Sequence, residues 1–211
     1  MICWYLKKDK MKNIVITLFI AVFCWLNVNA QENNESQTLL GDKLPKISDL
    51  GFYISPGYRL SQFDEASASL FHVRAGISLK KSFTVGAFYN VSINQIKPKS
   101  EVIPNIYMDY WNTGGFLEYT LLSKKLLHLT MPIYIAYGEV EMDNEIGELD
   151  FGEANFISFE PHLLLELNLH KYAKFNIGGG YRWVSEMNYR NFNQNDLTGI
   201  VGHIGFKFGL F

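Results

Sequence analysis

Cysteine is nearly absent. Only Cys3 and Cys24 carry a thiol among 211 residues, and both precede Ala30, so the chain beyond that point has neither disulfides nor thiolate metal sites. A basic excess is also missing. The net charge is −2, which excludes the electrostatic footprint of a nucleic-acid binder. Beyond the first thirty residues no apolar run reaches the roughly 20 residues that a helix needs to cross a bilayer. There is no helical repeat, and no Pro/Gly/Ser linker divides the chain. Phosphate loops, zinc spacings and catalytic triads are absent as well, so no metal or cofactor is expected.

The first thirty residues have the layout of an export signal. "MKNIVITLFIAVFCWLNVNAQ" begins at Met11 with a positive start at Lys12. An apolar run from Ile14 to Leu26 follows, then the small-residue exit Val28-Asn29-Ala30. This predicts a secretory signal peptide over 1–30, with Met11 as the true start and cleavage after Ala30. Cys24 follows Phe23, which fits a lipoprotein signal poorly. Removing 1–30 takes away four lysines and one aspartate, and the net charge moves from −2 to −5. Residues 31–49 are polar and patternless and read as a flexible periplasmic leader.

Beyond residue 49 the chain alternates with a period of two, the signature of strands. Eight such segments are expected, near 51–61, 70–79, 83–94, 111–121, 127–138, 155–169, 175–185 and 200–211. Short basic connections at 80–82, 123–125 and 170–174 alternate with longer polar ones near 62–69, 95–110, 139–154 and 187–199. Short turns on one side and long loops on the other characterise membrane barrels, and an even strand count puts both ends on the short-turn side. Pro56, Pro132 and Pro161 fall inside the strands, where each deletes a ladder hydrogen bond, so bulges are expected there.

The two faces differ in a way that orients the barrel. One is aliphatic and aromatic. The other holds small residues and a few charges rather than the Lys, Glu and Thr of a solvated sheet, which suits a narrow polar lumen. Arg59, Arg74, Arg182 and Lys207 are assigned to that lumen with Glu118, Glu160, Glu166 and Glu186, four cations against four carboxylates. His72, His128, His162 and His203 lie among them. Buried charges must pair, so the lumen is expected to be plugged by an ionic network. On the apolar face Tyr58, Phe71, Trp111, Tyr137, Phe159 and Trp183 gather toward the loops. Phe52, Phe83, Tyr119, Phe175 and Phe208 gather toward the turns, giving two belts of the kind that flank a bilayer.

With these features the sequence resembles the small eight-stranded outer-membrane barrels, the group around the OmpA transmembrane domain and OmpX. The resemblance covers about 50–211 and implies an all-β, antiparallel, up-and-down transmembrane barrel in the outer membrane of a Gram-negative cell. In that family the last strand carries an assembly signal, matched here in order by His203, Gly205, Phe208, Leu210 and Phe211. Leu210 stands where an aromatic is commoner. The implied partners are outer-membrane lipid and lipopolysaccharide and the outer-membrane assembly machinery, with the chain a monomer.

The expected role is structural or surface-binding, not enzymatic. A rival of the same fold is a lipid-A-modifying enzyme. Deacylases of that kind carry His and Ser two residues apart on a lipid-facing strand, and the nearest pattern here is His128-Leu129-Thr130, assigned to the lumen. A second rival is a soluble lipocalin-like carrier with its apolar face inward. The acidic stretch 139–154 lacks the EF-hand pattern and reads as a solvated loop.

Overall fold

The structure is a computed structural model that describes residues 50–80, 82–144 and 150–211. The expected signal peptide and leader over 1–49 lie outside the described residues. The barrel strands are β1 (Leu50–Phe63), β2 (Ala66–Leu79), β3 (Phe83–Ser92), β4 (Ile106–Leu121), β5 (Leu127–Asn144), β6 (Asp150–His170), β7 (Ala173–Val184) and β10 (Gly199–Leu210). They form one closed ring in the order β1-β10-β7-β6-β5-β4-β3-β2, each pair antiparallel. The eight expected strands are therefore present, and β10 closes the ring onto β1 through partners such as Phe52↔Leu210 and Tyr58↔Ile204.

Face assignment follows the alternation. Ile54 and Ile77 are more than half exposed, while Ser55, His72 and Arg74 are buried. Over the membrane-spanning part of the strands the inward positions are mainly polar, small or aromatic and the outward ones mainly aliphatic and aromatic, the inverse of a soluble barrel.

Four details differ from the sequence reading. The 62–69 connection is a two-residue turn, because Asp64 (φ 45°) and Glu65 (φ 66°) both adopt the left-handed backbone that lets strands reverse tightly. The stretches 106–110, 139–144 and 150–154 are strand. There Ile106, Met108, Tyr110, Val140 and Met142 alternate inward, so the period of two continues beneath the acidic residues. The connection between β7 and β10 contains a small hairpin, β8 (Asn188–Tyr189) with β9 (Phe192–Asn193), and a helical turn, α1 (Gln194–Leu197), capped by Asn193.

The expected proline bulges are absent. Around Pro56 the β1–β10 register keeps step from Ile54↔Phe208 to Gly57↔Gly205. Around Pro132 the β5–β6 register keeps step from Thr130↔Leu164 to Ile133↔Pro161, and β6–β7 does the same from Phe159↔Trp183 to His162↔Gly180. A residue in an antiparallel ladder directs its N–H to one neighbour only, so each proline removes a bond without displacing the strand. The register shifts lie instead between Glu141 and Asp143 and between Asn168 and His170.

Candidate functional site

The barrel interior is the site that the fold builds. At its turn-side floor, Glu118 on β4 accepts from Arg74 Nη1 at 2.7 Å and from Lys207 Nζ at 2.9 Å. Lys207 also lies 2.6 Å from Glu166 Oε2. The other oxygen of Glu166 accepts from His128 Nε2 at 2.9 Å and lies 3.1 Å from Lys174 Nζ. Arg74 Nη1 further donates to Tyr134 Oη at 2.9 Å. Every one of these groups sits on an inward position of its strand and is buried.

Midway up, Arg59 Nη1 donates to Glu160 Oε2 at 3.0 Å, and His162 Nε2 meets the same oxygen at 3.3 Å. Arg59 Nη2 faces His72 Nε2 at 3.5 Å, and His72 Nδ1 meets Asn90 Oδ1 at 2.6 Å. His203 Nε2 meets Asn176 Oδ1 at 2.7 Å. Phe88, Phe116 and Tyr134 fill the space between these polar groups.

The loop-side mouth is apolar. Phe63, Leu70, Ile106, Met108, Tyr110, Val140, Met142 and Phe156 from the strands meet Ile96, Met187, Tyr189, Phe192 and Leu197 from the connections in one buried cluster. Arg182 lies at the boundary. Its Nε donates to the Leu197 carbonyl at 2.8 Å and its Nη2 to Ser61 Oγ at 2.8 Å. The β7–β10 connection is thus folded into the mouth and tied to Arg182.

Of the twelve residues assigned to the lumen, eleven are buried inside the barrel. Glu186 is the exception: β7 ends at Val184, so Glu186 falls in the following bend and is exposed. A residue missed by sequence takes an interior place, Lys174 on β7, which the strand period alone would have put inward with Asn176. The interior therefore holds five cations (Arg59, Arg74, Lys174, Arg182, Lys207) against three carboxylates (Glu118, Glu160, Glu166), not four against four. Aromatic faces supply part of the difference. Arg59 lies 4.4 Å from the Tyr134 ring centre, Arg182 4.6 Å from Phe63, Lys174 4.1 Å from Phe211 and Lys207 4.4 Å from Tyr53, all within reach of the ring quadrupole.

Outside the mouth the connections brace one another. Asp64 O accepts from Lys99 N, Asp64 Oδ2 accepts from Ser100 N, and Arg190 pairs with Glu101 at 3.0 Å. Lys99 Nζ donates to Glu65 at 2.7 Å, and that carboxylate holds the ammonium above the ordinary lysine range. On the outer face of β4, β5 and β6 the carboxylates Asp109, Glu141 and Glu153 stand side by side in register.

No family model and no curated relative matches the chain. Among solved structures it is similar to Neisserial surface protein A, at 10% identity over 77% of this chain and 97% of that one, TM-score 0.56. It is similar also to the outer membrane protein OprG from Pseudomonas aeruginosa, at 12% identity over 76% of this chain and 95% of that one, TM-score 0.51. The chain has the fold of the small eight-stranded outer-membrane β-barrels. The inside-out face distribution and the closed ring make it a transmembrane barrel, and barrels of this up-and-down kind lie in the bacterial outer membrane.

In this outer-membrane barrel the two aromatic belts are visible on the exterior. Toward the loops, Trp111 lies 6.4 Å from Tyr89 and 6.1 Å from Tyr137, and Phe159 lies 5.9 Å from Trp183. Toward the turns, Phe175 packs 5.4 Å from Phe206, which lies 6.2 Å from Phe208. Of the expected assembly-signal residues, His203 and Gly205 face the lumen and Phe208 and Leu210 face outward. The Phe211 ring turns toward Tyr53 at 6.3 Å. His128 and Thr130 both face the interior. The same outward apolar face rules against the soluble carrier.

Proposed function

We propose that the protein is a non-enzymatic outer-membrane barrel with a structural or surface-binding role, its lumen plugged by the ionic network. The observation that carries the reading is what lines the interior, from the turn-side floor to the loop-side mouth. Paired charges occupy the floor and middle, and the apolar cluster with the inward-folded β7–β10 connection occupies the mouth. An eight-stranded ring is just wide enough for side chains to fill it. Strands β5 and β6, of 18 and 21 residues, exceed the about 9–11 that cross a bilayer. They extend past the loop-side belt and carry the acidic row above it, a surface suited to contact outside the membrane.

In this reading residues 1–30 direct export, 31–49 form a periplasmic leader, and 50–211 insert as a monomer through the outer-membrane assembly machinery. The barrel's lateral partners are outer-membrane lipid and lipopolysaccharide. The nearest approach to a deacylase pair, His128 with Thr130, points away from lipid, which supports a non-enzymatic reading over lipid A modification. Planar-bilayer recordings of the purified barrel test the plug, with short, small events at most expected. A large, stable, open conductance overturns the plugged lumen. A change in lipid A acylation on expression overturns the non-enzymatic reading.

A further inference from the structure

We infer that the floor of the barrel binds a small monovalent anion at the Nε/Nη2 edge of Arg74, beside the hydroxyls of Ser55 and Tyr53. At the floor, Arg74, Lys174 and Lys207 share only Glu118 and Glu166, one positive charge more than the carboxylates match. Lysine can shed charge by losing a proton; arginine keeps its charge in proteins. Arg74 keeps its charge whatever the lysines do, and the part of its buried guanidinium that faces away from Glu118 is costly to leave without a partner.

The hydrogen bonds locate it further. Arg182, which has no carboxylate beside it, gives its donors to the Leu197 carbonyl and the Ser61 hydroxyl. Arg74 differs. Its Nη1 serves Glu118 and Tyr134, but its Nε and Nη2 are buried and have no partner. Those two N–H groups lie along one edge of the guanidinium, the fork that takes anions in bidentate fashion. Ser55 faces Arg74 directly in the β1–β2 register, and Tyr53 is the next inward residue on β1. Both hydroxyls are buried and unpartnered.

The neighbouring ladder puts Ser55 level with Lys207, since Ile54 pairs with Phe208. Four unused donors thus belong to adjacent inward positions of the β1–β2 wall near the floor. Glu118 is already engaged at both oxygens, so the recognised group is external. The side chains that fill the interior favour a single-atom anion of halide size.

Chloride is the probe. The barrel, folded in zwitterionic micelles, is unfolded in urea while sodium gluconate is replaced stepwise by sodium chloride at constant ionic strength. Above the dissociation constant, the folded-to-unfolded ratio is expected to rise tenfold for each tenfold of chloride. Tyr53→Phe and Ser55→Ala should fold normally in gluconate, because neither hydroxyl has a protein partner to lose. Each should weaken chloride binding by about tenfold. Crystals grown in bromide should show an anomalous peak beside Arg74 Nε. Equal midpoints in chloride and gluconate for the wild type overturn the proposal. So does a chloride response that is the same in the wild type and both variants.

Discussion

Lys207 on the last strand of the barrel donates to Glu118 on β4 at 2.9 Å, a bond that crosses the lumen, since β10 and β4 are not neighbours in the ring. Glu118 holds Arg74 on β2 as well. A single carboxylate therefore ties together strands on opposite walls, and its loss leaves two buried cations facing each other.

Glu118→Ala is the sharpest test of that tie. Breaking a buried pair by removing one partner costs about 3–5 kcal/mol, a large share of ordinary domain stability. Glu65→Ala is the control, because its partnership with Lys99 is exposed on both sides and such pairs contribute little. The urea midpoint in detergent should fall steeply for Glu118→Ala and stay in place for Glu65→Ala. Matching midpoints would mean that the interior pairs are not structural.

Arg182 calls for a different outcome. It has hydroxyl and carbonyl partners and rests on Phe63, without a carboxylate to strand. Arg182→Met removes a buried charge and leaves the Leu197 carbonyl unpaired, a loss of about 1–3 kcal/mol, smaller than for Glu118→Ala. The β7–β10 connection should loosen with it. Limited proteolysis is expected to cut within 185–198 faster than in the wild type, while an unchanged cleavage rate would detach Arg182 from the folding of that segment.

The architecture was largely legible because a period of two is local information: any strand that buries one face shows it, and the closing stretch "GHIGFKFGLF" shows it to the last residue. Strand ends were not. The acids Glu139, Glu141 and Asp143 suggested a loop, yet Val140 and Met142 between them kept the inward alternation. Glu186 was misplaced for the opposite reason: the alternation was extended past Val184, where β7 had ended. Lys174 went unseen because it adjoins a basic turn. Which charges meet depends on cross-lumen distances, and no spacing within a strand encodes those. The inward-folded β7–β10 connection also left no periodic trace, since Tyr189, Phe192 and Leu197 are buried by tertiary packing alone.

Close packing at the mouth gives another prediction. A Cβ at Gly138 would stand 2.4 Å from Phe156 Cζ and 2.7 Å from Asn112 Cβ. The Phe156 ring end can be made smaller, whereas the Asn112 Cβ is fixed to its backbone, so a smaller residue at 156 relieves only part of the clash. Gly138→Ala should cost about 1–3 kcal/mol through overpacking, and Gly138→Ala with Phe156→Leu should recover part of it. Additive losses in the double variant would show that the strain is not at this contact.

Topology can be read with single cysteines, because the expected mature chain contains none. Val102 in the β3–β4 connection is 83% exposed, and Lys124 sits in the turn between β4 and β5. With the long connections outside the cell, Val102→Cys should react with a membrane-impermeant maleimide on intact cells. Lys124→Cys should react only after the outer membrane is opened. Labelling of Lys124→Cys on sealed cells would invert the orientation.

The last strand carries the final prediction. Phe208 faces outward on β10 and is nearly half exposed, stacked on Phe206 and paired in register with Ile54 of β1 at the closing seam. An aspartate there would set a charge against hydrocarbon beside the seam where hydrogen bonding must close. It would also alter the stretch that resembles an assembly signal. Phe208→Asp is expected to be exported and cleaved like the wild type but to fall well short in the outer membrane, accumulating in the periplasm or being degraded. Phe208→Tyr keeps the aromatic and should assemble normally, which separates loss of the apolar ring from any change of sequence at that site. Cell fractionation, with heat-modifiable gel mobility as the folding readout, decides it. Wild-type amounts of folded Phe208→Asp in the outer membrane would show that neither the lipid contact nor the closing signature depends on this residue.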